Sequence, residues 1–228
     1  MTTLSQTRTV ERALGLLAEV CGADALTLAE CARRTRLPTS TALRLLRTLE
    51  ASGFVRRSSD GCFQAGPRLI QLGAAALGRQ ELVRLAEPAL ARIVEATGES
   101  AYLSIAGPGE TAIYIAMVEG THPVRHTSWV GRAVPLAGLA VGLALSDQVP
   151  EAGYVAERDA TDPDVTAVAA PIRRPFAVAG ALSLVGPTYR IAEDTMHAYG
   201  QIVRREADAL SAQFGVTGPG AAATAVGE

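Results

Sequence analysis

Thr39, Ser40, Thr41, Arg44 and Arg47 lie within nine residues of one another and are the most chemically loaded stretch of the chain. Hydroxyls and free amide N–H groups hold phosphate oxygens, and guanidinium groups bond phosphates or base edges through two parallel donors. On a helix of about 3.6 residues per turn, Ser40, Arg44 and Arg47 share one face, with Thr41 and Thr48 beside them. Ala42, Leu45, Leu46 and Leu49 take the opposite face and are expected to be buried. Leu43 lies toward the polar side, where it can meet a thymine methyl. Pro38 suits the first turn and Gly53 the stop. Taken alone, the helix also reads as a surface helix with a solvated arginine face, so its setting has to decide.

That setting is a sequence of short elements. Val10, Leu14, Leu17 and Cys21 recur at helical spacing, and Gly22-Ala23-Asp24 ends that helix. Thr27 caps a second helix, Leu28 to Arg34, with Glu30 three residues on as in a capping box. Thr35-Arg36-Leu37-Pro38 turns into the arginine-bearing helix. Phe54-Val55-Arg56-Arg57 and Cys62-Phe63-Gln64-Ala65 then flank an Asp60-Gly61 turn, the pattern of a β-hairpin. Helix, helix, turn, helix, hairpin is the order of a winged helix-turn-helix, with Arg56 and Arg57 on the wing.

The charge distribution points the same way. The chain has 228 residues and all 21 of its basic residues are arginine. Residues 1–68 hold 10 Arg against 6 acids, and the remainder holds 11 against 17. A basic head on an acidic body suits a polyanion partner. Cys21, Cys31 and Cys62 lack metal or disulfide spacing and read as small buried thiols in a reducing compartment. No signal peptide and no membrane-spanning run is recognised, so a cytoplasmic protein that does not engage a membrane is expected.

Residues 66–80 read as a linker helix rich in small side chains, suited to pairing between subunits, and Glu81 to Thr97 as a further helix with Leu82, Leu85, Ala89 and Ile93 on one face. Beyond Gly98 the period changes to two. Ala101–Ile105, Ala112–Val118, Val124–Val130, Gly153–Glu157, Val165–Ile172 and Phe176–Val185 are expected strands. Val134 to Leu145 is a short apolar helix with its approach, and Ile191 to Phe214 a closing helix. The fold class is α+β. A winged helix-turn-helix over 1–65 is followed by a linker over 66–80, an antiparallel-sheet domain over 81–217 and a disordered tail over 218–228.

This arrangement resembles the IclR family of bacterial transcription regulators over residues 10 to 214. The resemblance is carried by Val10-Glu11-Arg12-Ala13-Leu14, Leu37-Pro38-Thr39-Ser40-Thr41, Arg44-Leu45-Leu46-Arg47-Thr48-Leu49, Thr97-Gly98-Glu99-Ser100, Val130-Gly131-Arg132-Ala133-Val134-Pro135-Leu136, Val168-Ala169-Ala170-Pro171-Ile172 and Ala181-Leu182-Ser183-Leu184-Val185-Gly186-Pro187. It implies a DNA-binding head, a dimerising linker helix and a GAF-like domain that binds a small-molecule effector without a cofactor. It also implies a homodimer or homotetramer on double-stranded operator DNA. The DNA-binding set is Thr39, Ser40, Thr41, Leu43, Arg44, Arg47, Arg56 and Arg57. The effector set implied by position is Trp129, Gly131, Ala133, Leu136, Ala137, Gly138, Leu139, Glu157, Asp159, Ala167, Val168, Ser183 and Val185.

Departures from the family pattern sharpen the expectation. Pro135-Leu136-Ala137-Gly138 stands where the family has Pro-Leu-His-Ala, Leu143 where a Lys follows, Ala167 where many members carry a pocket cysteine, and Val185 where a second serine often stands. Four polar positions have become apolar, and burying an unpaired carboxylate costs several kcal/mol, so the pocket favours an apolar or aromatic effector over a small oxo-acid. Trp129, Tyr102 and Met117 are candidates for its wall. Ser146 to Ala152 replaces about two helices that relatives carry near the pocket. The alternative is a constitutive DNA binder whose shortened C-terminal domain only oligomerises. No Gly-x-Ser-x-Gly, His-Glu-x-x-His, Walker or Rossmann pattern occurs, and His122, His126 and His197 show no metal spacing, so an enzyme is not expected.

Overall fold

The computed structural model describes residues 7–126, 128–160 and 162–216; the expected tail over 218–228 lies outside them. The chain divides into two units, residues 1–79 and 80–228.

The first unit begins with α1 (Arg8–Cys21), α2 (Leu28–Thr35) and α3 (Thr39–Ala51). β1 (Val55–Arg57) and β2 (Phe63–Ala65) follow as an antiparallel hairpin, and α4 (Pro67–Gly78) closes the unit. The capping box forms as read: the Thr27 hydroxyl accepts from Glu30 N–H, and the Glu30 carboxylate takes the Thr27 N–H at 2.8 Å. That hydrogen bonding holds the Glu30 carboxyl below its ordinary range. Leu26 bridges to Phe63, so the wing rests on the loop before α2. Gly66 lies so close to Gly53 O that a Cβ would sit 2.3 Å from it, which explains glycine at this junction.

The core here is Leu16, Val20, Leu26, Cys31, Leu45, Leu46, Val55 and Phe63. It corrects the expected face of α1. Leu16 and Val20 are buried, while Val10, Leu14 and Cys21 are exposed. The helix carries two apolar stripes, and the neighbours α2 and α3 pack on the one containing Ala13, Leu16, Leu17 and Val20. No residue of α4 is buried, and Ile70, Leu72 and Leu77 lie open.

In the second unit α5 (Glu81–Thr97) ends at Gly98, whose φ of 73° gives the left-handed cap that glycine supplies freely. A six-stranded antiparallel sheet follows, built from β3 (Ser100–Gly107), β4 (Thr111–Val118), β5 (Ala133–Pro135), β6 (Val155–Arg158), β7 (Val165–Arg174) and β8 (Ala177–Pro187). Its strand order is β5-β4-β3-β8-β7-β6. The last helix, α7 (Glu193–Gln213), packs with α5 against one face, burying Leu90, Ile93, Leu103, Ile172, Leu182, Leu184 and Leu210. A short helix, α6 (Ala140–Leu145), covers the other face over β7 and β8.

The expected strand over Val124–Val130 does not form among its described residues. Arg132 N–H donates to Trp129 O, and Gly131 N–H, at a φ of 86°, donates to Tyr114 O. That turn ends extended pairing and delays the edge strand to Ala133–Pro135, a three-residue element without a period of its own. After Leu145 the chain passes directly through turns to β6, with no helix between them.

Candidate nucleic-acid interface and effector face

The α3 helix buries Ala42, Leu45 and Leu46 and half-buries Leu49, so its polar face points outward. Thr39, Ser40, Arg44 and Arg47 are exposed, and Thr41 and Leu43 are half-buried at the edge. Ser40, Leu43, Arg44, Arg47 and Thr48 line one shallow open hollow. Among the described residues neither Arg44 nor Arg47 has an ion-pair partner, although ten other ion pairs occur. Unpaired exposed guanidiniums on a rigid helix are available to an external anion.

The two wing arginines differ. Arg56 is exposed, and among the described residues its side chain has no ion-pair partner. Arg57 donates from Nε to Gly61 O at 3.1 Å and stacks on Phe63 at 5.6 Å, so it also braces the wing turn. Asp60 bonds Ser58 in that turn, which holds its carboxyl below the usual range.

In the second unit the face of the sheet under α6 carries a cluster of rings. Tyr102, Tyr114 and Trp129 are buried, with ring centroids 5.3 Å apart for Tyr102–Tyr114 and for Tyr114–Trp129. His126 lies edge-on to Trp129 at 4.1 Å, and its Nδ1 hydrogen-bonds the Tyr102 hydroxyl at 2.7 Å. Burial pushes the Tyr102 and Tyr114 hydroxyls up from the ordinary tyrosine pKa and the His126 imidazole down from its own. The Arg132 guanidinium covers Trp129 at 4.6 Å and reaches Asp162 at 3.8 Å. Two hydroxyls in this face, Ser104 Oγ and Ser183 Oγ, are buried without a hydrogen-bond partner.

The residues expected around an effector do not all converge. Trp129, Leu139, Ala167, Ser183 and Val185 lie on or against the α6 face, and Leu136 packs beside them. Val168 does not; alternation along β7 turns it to the α5–α7 core, with Ala167 and Ala169 facing the other way. Gly131, Ala133, Ala137 and Gly138 are exposed on the approach to α6. Met117 packs partly buried against the ring cluster. Glu157 Oε2 accepts from Ala140 N–H at 2.6 Å, at the start of α6. Asp159 lies outside the cluster, exposed in a loop where it accepts from Asp164 N–H at 2.7 Å.

Sequence reasoning missed Tyr114, His126 and Ser104. Tyr114 and Ser104 follow from strand alternation once Tyr102 is placed, since Ser104 is two residues on and pairs across with Tyr114. His126 had no such signal, because it stands in an irregular segment. The other histidines are placed separately: His197 bonds Tyr154 at 2.7 Å, and His122 lies 3.8 Å from Glu99.

The comparisons with known proteins agree with this geometry. The IclR helix-turn-helix domain matches residues 9–59, and the C-terminal domain of bacterial transcriptional regulator IclR matches 74–147 and 145–212. The two C-terminal matches meet at residues 145–147, in the turns that follow α6. HTH-type transcriptional regulator BhcR of Paracoccus denitrificans is 29% identical, aligned over 90% of this chain and 86% of its own length. Transcriptional repressor IclR of Escherichia coli is 32% identical over 64% of this chain and 54% of its own length. An IclR regulator structure from Alicyclobacillus acidocaldarius superposes with a TM-score of 0.78 at 24% identity, covering 92% of this chain and 99% of that one. An IclR homolog of Microbacterium hydrocarbonoxydans, solved in complex with 4-hydroxybenzoate, gives 0.71 at 24% identity, covering 90% and 98%. A head with free arginines on its third helix and a body matched in both halves of the C-terminal domain leave one assignment: the chain belongs to the IclR family of bacterial transcriptional regulators.

Proposed function

We infer that the protein is an effector-responsive repressor that binds a pseudo-palindromic operator as a homodimer or homotetramer. The observation that carries this is the outward face of α3, where Arg44 and Arg47 stand exposed and unpaired beside Ser40. In this reading α3 enters the major groove. Arg44 and Arg47 bond base edges or adjacent phosphates, Thr39, Ser40 and Thr41 hold the backbone, Leu43 meets a thymine methyl, and Arg56 with Arg57 grips phosphate from the wing. The repressor sense is supported by relatives named transcriptional repressor IclR and acetate operon repressor. Self-association is supported by the open apolar residues Val10, Leu14, Ile70, Leu72 and Leu77. Two heads on one duplex put half-sites about one helical turn apart, or a multiple of it.

The effector of this reading is a small apolar or aromatic molecule held under α6, and the protein acts in the cytoplasm. Its support is the ring cluster, together with the 4-hydroxybenzoate bound by the Microbacterium homolog. To change transcription it must bind two states of the protein with different affinity.

Fluorescence anisotropy on the gene's own upstream DNA tests the reading. Wild type is expected to prefer that DNA to a scrambled duplex, and Arg44→Ala to lose about 1–3 kcal/mol mainly on the specific site. Equal, weak binding of both proteins to every duplex from a random-sequence selection counts against it. A constitutive binder differs in one respect: no small molecule alters its DNA affinity or melting temperature.

A further inference from the structure

Ser104 and Ser183 are wholly buried, and neither hydroxyl has a partner. Both sit inside the ring cluster. Ser183 lies in register between Tyr102 on β3 and Ala169 on β7, and Ser104 between Tyr114 on β4 and Ala181 on β8. The two are diagonal neighbours on the same face of the sheet. A dry hydroxyl without a partner forfeits the hydrogen bonds it had with water, and interiors seldom tolerate two side by side. A packed ring cluster with two unused hydroxyls on the sheet beneath it is suited, once a ring is displaced, to a guest ring that carries one polar group.

Trp129 fills the position such a ring would need. It belongs to no strand, its indole packs on Tyr102, Tyr114 and His126, and the exposed Arg132 guanidinium stands over it. Arg132 is half-exposed and its 3.8 Å contact with Asp162 is a surface ion pair, a weak latch. Moving the indole out uncovers apolar surface that water cannot solvate well, so the free protein stays shut. A planar ring of similar width restores that burial, whereas an oxo-acid of two or three carbons does not.

We propose that the ring cluster is the closed form of the effector site. In the open form the ligand's ring replaces the Trp129 indole against Tyr102 and Tyr114, and the ligand's hydroxyl bonds Ser104 and Ser183. No charged side chain faces that floor among the residues that flank the two serines, so it suits a neutral hydroxyl rather than a carboxylate. A carboxylate at the other end of the ring stays at the mouth, where Arg132 lies. The ligand class is a single-ring phenol, with or without an acid group para to the hydroxyl. The proposal rests on the effector-sensing reading above and adds to it the ligand's chemistry and the residue that must move.

The test uses the full chain, with 4-hydroxybenzoate as probe and benzoate and glyoxylate for comparison. Trp129 is the chain's single tryptophan, so its emission reports the plug alone. Calorimetry is expected to show 4-hydroxybenzoate binding at least tenfold more tightly than benzoate, with red-shifted emission and greater quenching by acrylamide. Ser104→Ala and Ser183→Ala are each expected to abolish that preference without lowering the melting temperature of the free protein. Trp129→Phe, a smaller plug, is expected to bind more tightly; should it not fold, the two serine variants carry the test. Binding with unchanged emission, or a preference that survives both serine variants, overturns the proposal; trapped water on the hydroxyls would give that second result. Glyoxylate binding alone overturns it and leaves effector sensing standing. If none of the three alters melting or DNA affinity, the proposal fails and effector sensing loses its support with it.

Discussion

Glu157 Oε2 accepts a 2.6 Å hydrogen bond from the N–H of Ala140, tying the edge strand β6 to the first residue of α6. The four N–H groups that open a helix have no partner within it, and no side chain of Leu139 can cap them. A carboxylate from across the sheet serves instead and complements the helix dipole. Glu157→Ala is therefore expected to lower stability by about 1–2 kcal/mol. Glu157→Gln, which keeps an acceptor, should lose clearly less. Thermal melts of the two variants check this, and equal losses would mean that the carboxylate's charge, not the bond, matters.

Glu99 is fully buried and is gripped by Arg190 through Nε at 2.7 Å and Nη2 at 2.9 Å; the same Nη2 also donates to Val124 O. The pair joins the start of β3, the turn before α7 and the segment leading to Trp129. Removing one partner leaves a charge stranded in the interior, and Arg190→Ala is expected to lose about 3–5 kcal/mol. Arg190→Lys, which cannot make the two-pronged contact, should recover part of it. Urea unfolding midpoints measure both. A loss below about 1 kcal/mol for the alanine variant would show that water reaches Glu99.

The parts of this molecule legible in the sequence are those set by neighbours in the chain. The capping box at Thr27, the Asp60-Gly61 turn and the α3 faces each depend on spacing of a few residues, and the structure has them as read. The face of α1 was not legible, because Leu14 and Leu16 are equally apolar and only the packing of α2 and α3 selects between their stripes. Parity along β7 was likewise hidden: with Ala167, Val168, Ala169 and Ala170 in a row, no polar residue marks which side is which. The ring cluster draws on β3, β4 and an irregular segment, so only pairing registers bring Tyr102, Tyr114 and Trp129 together.

Arg56 and Arg57 are neighbours in sequence but make different contacts, and their alanine variants should separate. Arg56→Ala is expected to weaken binding to all duplexes alike and to reduce the slope of log K against log salt by about 1, with no change in melting. Arg57→Ala also removes the brace on Gly61 O and the stacking on Phe63, so it should lower the melting temperature of the head as well. Anisotropy at several salt concentrations, paired with melts, distinguishes them. Identical behaviour would mean the brace carries no stability.

The open apolar residues of α1 and α4 give a further outcome. Ile70 is 74% exposed and Leu14 59%, a degree of exposure that large aliphatic side chains lose when a second copy covers them. Ile70 and Leu14 lie outside the core of the head, so Ile70→Glu and Leu14→Glu should leave its melting temperature near wild type. Analytical ultracentrifugation is expected to show a smaller assembly than wild type, with weaker binding to a two-half-site duplex. An unchanged sedimentation coefficient in both variants would place the subunit contacts elsewhere.

His126 contributes to the pH dependence of the second unit. Burial holds its imidazole below the ordinary histidine value of 6.5, so the folded protein binds fewer protons there than the unfolded chain. Stability from this residue is complete above about pH 6.5 and is lost as pH falls from there through the lower folded value. The loss is coupled to the rings, because protonation makes both imidazole nitrogens donors, which fixes the direction of the 2.7 Å hydrogen bond between Nδ1 and the Tyr102 hydroxyl, and presents a charge to the edge-packed Trp129. Thermal melts between pH 7.5 and 5 should therefore fall more steeply for wild type than for His126→Gln, which keeps a hydrogen-bonding group and cannot titrate. Trp129 emission should shift over the same interval in wild type only. Parallel melting curves for the two proteins would show that the imidazole is solvated enough to protonate in place, and that other groups set the acid limit.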